Sequence, residues 1–242
     1  MKYILSLILL WFSYLLPSQA SIIWQKTYGG NGSEFLRGGV LPTSYGYVIA
    51  GDSDSDLTGN KSIQNYGIWL IGIDTVGEII WQKGYCAPSS LWSFKPTGDN
   101  NYIICASTGS DTCSEKSKKS EKSDVWIIKI NEQGDIIWEN TIRANDNESS
   151  AQLIQANDRG YFLGITTNSS LGLDKIDSSR GLADLWILKL HSLGKIQWQR
   201  TIGGAAQDGL TSISESHDGF LVSGYSHSAV SGDKTANKLW RI

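Results

Sequence analysis

Histidine, cysteine and proline are scarce in this chain, which has only three, three and four of them among its 242 residues. The cysteines form no Cys-x-x-Cys pair, which excludes the usual thiolate metal centres. The histidines, His191, His217 and His227, belong to no H-E-x-x-H motif, and neither G-x-S-x-G nor a phosphate-binding glycine loop occurs. The sequence therefore predicts no catalytic residue.

A strong charge of one sign is also missing. The chain has 21 basic and 24 acidic side chains; without residues 1–20, which contain only Lys2, the numbers are 20 and 24, a net charge of −4. The densest charged run, residues 115–124, alternates in sign and is typical of a solvated loop. This balance gives no basic surface for nucleic acid or an anionic membrane.

Long hydrophobic runs are confined to the N-terminus. Lys2 precedes an apolar run from Ile4 to Leu16, Pro17 ends the run, and Ser18-Gln19-Ala20 offers small residues for cleavage. The pattern predicts a signal peptide over residues 1–20, with an uncleaved anchor as the alternative. We therefore expect residues 21–242 to be a soluble monomer without a membrane span, secreted or periplasmic.

Tryptophan, by contrast, recurs at regular intervals. "IIWQKTYGG" at residues 22–30 returns as "IIWQKGYCA" at 79–87, "IIWENTIRA" at 136–144 and "IQWQRTIGG" at 196–204. Its tryptophans lie 57, 57 and 60 residues apart, and a second series has intervals of 57, 60 and 54. The two series are Trp24, Trp81, Trp138 and Trp198, and Trp69, Trp126, Trp186 and Trp240. Such periodicity indicates internal structural repeats.

Each repeat contains four short apolar segments that are typical of strands, and no helical period is sustained. Tight polar or glycine turns join the first strand to the second and the third to the fourth, whereas the second and third are joined by long, variable loops. These features predict an all-β fold: a single-domain β-propeller over residues 21–242, with four blades of four antiparallel strands. One end of the molecule then carries the short turns and the other end the long loops.

The two ends of the chain have complementary deficits. The last repeat stops after its third strand, and the chain begins, after the signal peptide, with a fourth strand that has no predecessors. We therefore expect the N-terminal strand, Ile22–Tyr28, to pair with Lys238–Ile242 and close the last blade, which removes two open sheet edges. The alternative is a piece of a longer propeller array.

The repeats resemble a known family. Units of the form "GxIxWQKTYGG…DGGYxxAG…DxWLxKLDxxG" occur in secreted β-propeller proteins of gliding and related outer-membrane-bearing bacteria. The resemblance covers residues 22–242 and is carried by "IIWQKTYGG", "DVWIIKI" and "DLWILKL", while "GYCAPSS" departs from the pattern in the second repeat. It implies a propeller fold and export, and it implies no activity.

Acidic residues supply the first candidate site. The position ten residues after each fourth-strand tryptophan is Glu34, Glu148 or Asp208 in three repeats, and Leu91 in the other. These carboxylates could ring the mouth of a central channel and bind a cation or sugar hydroxyls. Alternatively, each accepts hydrogen bonds from the backbone of the preceding turn, which is the interpretation we favour.

Two further candidates lie outside the repeated positions. Asp52, Asp54 and Asp56 alternate as calcium ligands do, but the segment lacks the glycine and the glutamate of an EF-hand, so a solvated turn is the preferred interpretation. Trp92 belongs to neither tryptophan series and either stacks on a sugar ring or packs in the core.

The three cysteines, Cys86, Cys105 and Cys113, all fall in the second repeat. Cys105 replaces small residues of the other repeats and is expected to be buried. In an exported protein, Cys113 could form a disulfide with Cys105 or Cys86 and leave one thiol over.

Together these patterns predict a non-catalytic exported propeller that binds a protein or a surface glycan through its long loops. One alternative is a glycan-active hydrolase or lyase with its site at the channel mouth. A structural surface protein without a pocket is the other.

Overall fold

The computed structural model describes residues 22–85, 89–109, 115–120, 122–217 and 219–236. This part of the chain forms fourteen strands and no helix. The strands are β1 (Glu34–Pro42), β2 (Gly46–Ser53), β3 (Gly67–Asp74), β4 (Ile79–Gly84), β5 (Ser89–Pro96), β6 (Tyr102–Thr108), β7 (Asp124–Ile130), β8 (Ile136–Ile142), β9 (Glu148–Gln155), β10 (Tyr161–Thr167), β11 (Asp184–Leu190), β12 (Ile196–Ile202), β13 (Asp208–Ser216) and β14 (Gly219–Ser226).

The strands form four antiparallel sheets, one for each sequence repeat. β1–β4, β5–β8 and β9–β12 are four-stranded sheets in which strands follow one another in chain order, and β13–β14 form a two-stranded sheet. The all-β prediction and the division into four repeats are therefore confirmed. Among the described residues no helix is long and apolar enough to cross a membrane. The predicted signal peptide lies outside these residues.

The third strand of each complete sheet is the most buried. Every residue of β7 and β11 is buried, and Trp126 and Trp186 are completely inaccessible to solvent. A strand that is covered on both faces needs apolar residues at successive positions, which is why "VWIIKI" and "LWILKL" do not alternate. Leu91, Phe94 and Tyr102 of the second sheet pack with Val48 and Leu70 of the first, so the cores lie between sheets.

The fourth strand of each complete sheet lies on the outside and places its tryptophan against the next sheet. Gly77, Gly134 and Gly194, in the turns between third and fourth strands, adopt positive φ angles as their turns predict. The rings of Trp24, Trp81 and Trp138 lie directly over these three glycines. These outer tryptophans are less buried than Trp69, Trp126 and Trp186: Trp24 is 39% exposed and Trp198 44%.

The first strands of the sheets contact one another in chain order: β1 packs against β5, β5 against β9, and β9 against β13. No comparable packing joins β13 to β1 within the described part of the chain. Residues 22–33 have an irregular backbone, with Ile22 and Ile23 exposed, and the expected pairing partner, Lys238–Ile242, lies outside the described residues together with Trp240. The closed four-bladed ring therefore stays a prediction.

Candidate functional site

The repeated acidic residues stand at the starts of first strands, at the long-loop end, and each binds its own loop. Asp208 accepts hydrogen bonds from the backbone nitrogen of Gly204 (2.7 Å) and from Ser228 (2.8 Å). Glu34 accepts from the backbone nitrogen of Gly30 (3.2 Å) and from the hydroxyls of Ser53 and Ser55. For these two acids the contacts match the interpretation that they hold the turn before the first strand.

Glu148 differs from the other two because no backbone nitrogen of a turn binds its carboxyl group. It accepts from Thr167 and Ser169, both at 3.0 Å, and its second oxygen, which is buried, has no donor. That carboxyl group lies beside the equally buried Asp124. Burial, followed by the neighbouring Asp124, raises the pKa of Glu148 to about 8, and burial also raises the pKa of Asp124. The pair therefore holds a proton in a site that no external ligand reaches.

The aspartates proposed for calcium each have a different protein partner. Asp52 forms an ion pair with Arg37 (2.7 Å) and accepts from Leu91, Asp54 accepts from the backbone of Ser33, and Asp56 accepts from Tyr66. Within the described residues, no three His, Cys, Asp or Glu side chains come together as metal ligands. The three aspartates hold the first sheet and its loop together.

The other candidates lie in the core or outside the described residues. Trp92 is half-buried and packs against the core between the second and third sheets, which is the packing interpretation of this residue. Cys105 is buried, as expected from its position, and burial raises the pKa of its thiol. Cys86 and Cys113 lie outside the described residues, so the disulfide stays a prediction.

Sequence reasoning missed a lysine that each long loop folds around. Lys61 donates to the backbone oxygens of Ser55 and Asn65 (both 2.6 Å), and the equivalent lysines also bind within their loops. They are Lys61, Lys116, Lys175 and Lys234. The signal was a Gly-Asn-Lys, Leu-Asp-Lys or Gly-Asp-Lys triplet in three of the loops. The long loops thus satisfy their own polar groups.

An open cavity lies instead at the opposite end, where the short turns are. It has a volume of about 810 Å³, is partly enclosed, and runs between the second and third sheets. We call it the turn-face groove. Its walls include Asp99, Lys129, Trp138, Gln155, Arg159 and Leu193. The sequence analysis did not single out any of these except Trp138, which it treated as a structural repeat residue.

The corresponding place between the first and second sheets is filled by Tyr45. The Tyr45 hydroxyl donates to the backbone oxygen of Glu132 (2.5 Å) and accepts from Trp81 Nε1 (2.7 Å). Ser44 adds a second link through its backbone nitrogen, which donates to the Glu132 carboxylate (2.9 Å). Trp138 is the repeat equivalent of Trp81, and its Nε1 has no partner among the residues that the structure describes. The two inter-sheet spaces therefore differ in what fills them.

Turn length explains the difference. The β1–β2 turn has two residues between Thr43 and Gly46, whereas the β5–β6 turn has three between Thr97 and Asn101. Three-residue hairpin turns place their last residue in the left-handed region, and Asn100 accordingly has a φ of 58°. The longer turn presents an aspartate, not a tyrosine, to the space between the sheets.

The residue below the turn is matched to this choice. Gly72 of the first sheet leaves room for Trp81, since a Cβ atom there would lie only 2.2 Å from the indole nitrogen. At the same position the second sheet has Lys129, whose Nζ lies 2.5 Å from Asp99. Burial opposes ionisation of Asp99, but hydrogen bonds from Lys129 and Thr97 outweigh it and lower the pKa of Asp99. Asp99 is therefore an ionised hydrogen-bond acceptor in the groove wall.

Arg159 stands on the other wall in an unfavourable backbone conformation. Its φ is 64°, in the left-handed region where residues with a side chain other than Asn, Asp or Gly are rare. The side chain is exposed and has no ion-pair partner within the described residues. A strained residue with a free charged group at a cavity is a reason to suspect a binding role.

Comparison with known proteins adds one distant structural match. It is described as the crystal structure of a protein of unknown function from Bacteroides caccae at 1.35 Å resolution, with 10% sequence identity, a TM-score of 0.40, and coverage of 85% of this chain and 75% of that chain. No protein-family model and no curated protein matches the sequence. The functional proposal therefore rests on the groove itself.

Proposed function

We propose that this protein is an exported, non-catalytic β-propeller that binds a protein or a surface glycan in the turn-face groove. The observation that carries the proposal is the contrast between two equivalent spaces in one chain. Tyr45 fills the space between the first and second sheets, while the space between the second and third stays open and presents unpaired polar groups. Open, mixed polar and apolar cavities of this size are typical of ligand sites.

The closed ring belongs to the same proposal and is supported by the contacts of the N-terminal segment. Trp24 Nε1 donates to Thr75, and Tyr28 donates to the backbone oxygen of Gly77 (2.8 Å). In the next repeat Tyr85 donates to the backbone oxygen of Gly134 (2.6 Å) in the same way. The segment thus sits against the first sheet as a fourth strand sits against the sheet that follows it, which is the position that a closing strand would occupy.

Binding is favoured over catalysis by the state of the two acids with the largest environmental effects. A general acid needs a pKa near the working pH and access to the substrate. Glu148 meets the first condition, but only 2% of its surface is exposed. Asp99 reaches the groove, but its lowered pKa keeps it ionised. We therefore assign neither residue a catalytic role.

The test compares two glycine substitutions. Arg159→Gly removes a groove side chain and should leave the melting temperature unchanged or higher, because glycine avoids a left-handed strain of about 1 kcal/mol. Asn100→Gly is the matched control, since it makes the same backbone change at a residue that does not line the groove. Labelled protein is applied to glycan and peptide arrays. We expect the wild type and Asn100→Gly to bind a common ligand and Arg159→Gly to lose it; equal binding by all three proteins would contradict the groove assignment.

A further inference from the structure

We infer that the ligand of the turn-face groove is a neutral oligosaccharide. The inference rests on the proposed function and deepens it by naming the ligand class. It is drawn from the charges, the hydrogen-bonding groups and the apolar surface of the groove walls.

The charges of the groove cancel. Asp99 and Lys129 form an ion pair with 2.5 Å between their polar atoms, so neither offers a free charge. The remaining charged groups, Arg159 and Glu215, are of opposite sign, and neither has an ion-pair partner in the described part of the chain. A phosphorylated or acidic ligand would need an excess of positive charge, as would nucleic acid. The groove provides no such excess.

The polar groups match hydroxyls, which both donate and accept. Trp138 Nε1 is a donor without a protein partner. Gln155 accepts from the backbone nitrogen of Gly98 (2.7 Å) and so keeps its amide hydrogens for a ligand. Arg159 adds donors and Asp99 an ionised acceptor. A saccharide presents several adjacent hydroxyls that such a mixture of donors and acceptors satisfies, whereas an apolar ligand would leave these groups unpaired.

Apolar surface flanks the polar groups. Ile137 is 49% exposed and Leu193 59% exposed, and both line the groove beside Trp138. Sugar rings carry C–H faces as well as hydroxyls, so a wall that alternates aliphatic and aromatic surface with planar polar groups fits them. The volume of about 810 Å³ suits a ligand of several rings.

The test uses defined oligosaccharides and two conservative variants. Isothermal titration compares neutral hexasaccharides of glucose, xylose and mannose with hexagalacturonate and with sulfated dextran, at 50 and 500 mM NaCl. We expect at least one neutral hexasaccharide to bind, with a Kd that changes by less than about twofold between the salt concentrations, because no net ion pair forms. Trp138→Phe should weaken this binding about tenfold by removing one hydrogen-bond donor while the ring remains. Trp81→Phe is the matched control and should leave the Kd unchanged, since that indole already binds Tyr45.

The outcomes separate this inference from the proposed function. Preference for a charged oligosaccharide with a steep salt dependence, or failure to bind any neutral one while a peptide binds and Arg159→Gly abolishes that binding, would overturn the neutral ligand but leave the groove as the site. Binding of a neutral hexasaccharide that neither Trp138→Phe nor Arg159→Gly affects would overturn the groove assignment for this ligand and with it the proposed function.

Discussion

At the residue scale, one repeated sequence position holds acids in two different states. Burial opposes ionisation of Asp208, but hydrogen bonds from Ser226, Gly204 and Ser228 outweigh it and leave its pKa lowered. Glu148 lacks the backbone donor and faces Asp124, so its pKa is raised to about 8. The first acid is a turn anchor that works as an anion, and the second works as a protonated donor to its neighbour.

Replacing Glu148 by glutamine should make stability less dependent on pH. In the unfolded chain this carboxyl loses its proton near the ordinary pKa of 4.5, whereas the folded protein keeps the proton until about pH 8. Wild-type stability therefore falls as the pH rises between these values. The amide of Glu148→Gln can still donate to Asp124 and does not titrate. Urea unfolding at pH 5, 6.5 and 8 should show the variant gaining on the wild type as the pH rises.

Asp208→Asn provides the control of opposite sign. Because the pKa of Asp208 is lowered in the folded state, its contribution to stability is present above the ordinary value and is lost as the pH falls below it. The difference between this variant and the wild type should therefore shrink only under acidic conditions. A difference between Glu148→Gln and the wild type that is constant from pH 5 to pH 8 would contradict the proton held by the Glu148–Asp124 pair.

At the element scale, one side chain on each outer strand links the strand, the buried tryptophan and the long loop. Gln199 on β12 accepts from Trp186 Nε1 and from the backbone nitrogen of Ile176, both at 3.0 Å, and donates to Asp174 (2.8 Å). Gln82 and Glu139 accept from Trp69 and Trp126 in the same way. A single position therefore satisfies the indole and fixes the loop.

Substituting Gln199 with alanine should destabilise the third sheet. The substitution leaves the indole nitrogen of a fully buried tryptophan without an acceptor, at a cost of about 1–3 kcal/mol in the free energy of unfolding. Gln197→Ala is the matched control: the same residue type on the same strand, with an exposed side chain and no hydrogen bond in the structure. Chemical denaturation of both variants tests the link, and equal midpoints would show that it contributes nothing.

The strands were easier to predict than the loops and the groove. Strands such as β7 and β11 announce themselves because both faces are buried, which demands a continuous apolar run around a tryptophan. Lys61 was overlooked because lysine is almost always exposed, and only its backbone acceptors reveal its role. The groove could not be predicted, because it depends on whether one turn residue reaches across to the next sheet, and Tyr45 and Asp99 look alike as turn residues in a sequence.

At the scale of the whole molecule, ring closure is the main open element of the fold. In the three complete sheets, the residue after the outer tryptophan accepts from the inner one, and the matching pair for the last blade is Gln25 and Trp240. A double-mutant cycle of Gln25→Ala and Trp240→Phe should therefore show a coupling of about 0.5–3 kcal/mol in unfolding free energy. The cycle of Gln199→Ala and Trp186→Phe serves as the positive reference. Additive effects in the first cycle with coupling in the second would contradict closure by the N-terminal segment.

The β5–β6 turn also bears on how such a scaffold can diversify. One residue more or less in a surface turn decides whether a tyrosine seals the space between two sheets or an aspartate leaves it open. Surface turns tolerate insertions and deletions far better than strands do, because little packed structure depends on their length. A repeat protein of this kind can therefore acquire or abolish a binding groove by a three-nucleotide change, with every core contact left as it was. Each boundary between neighbouring repeats is an independent opportunity for such a change, so recognition can evolve at one boundary while the others continue to hold the fold.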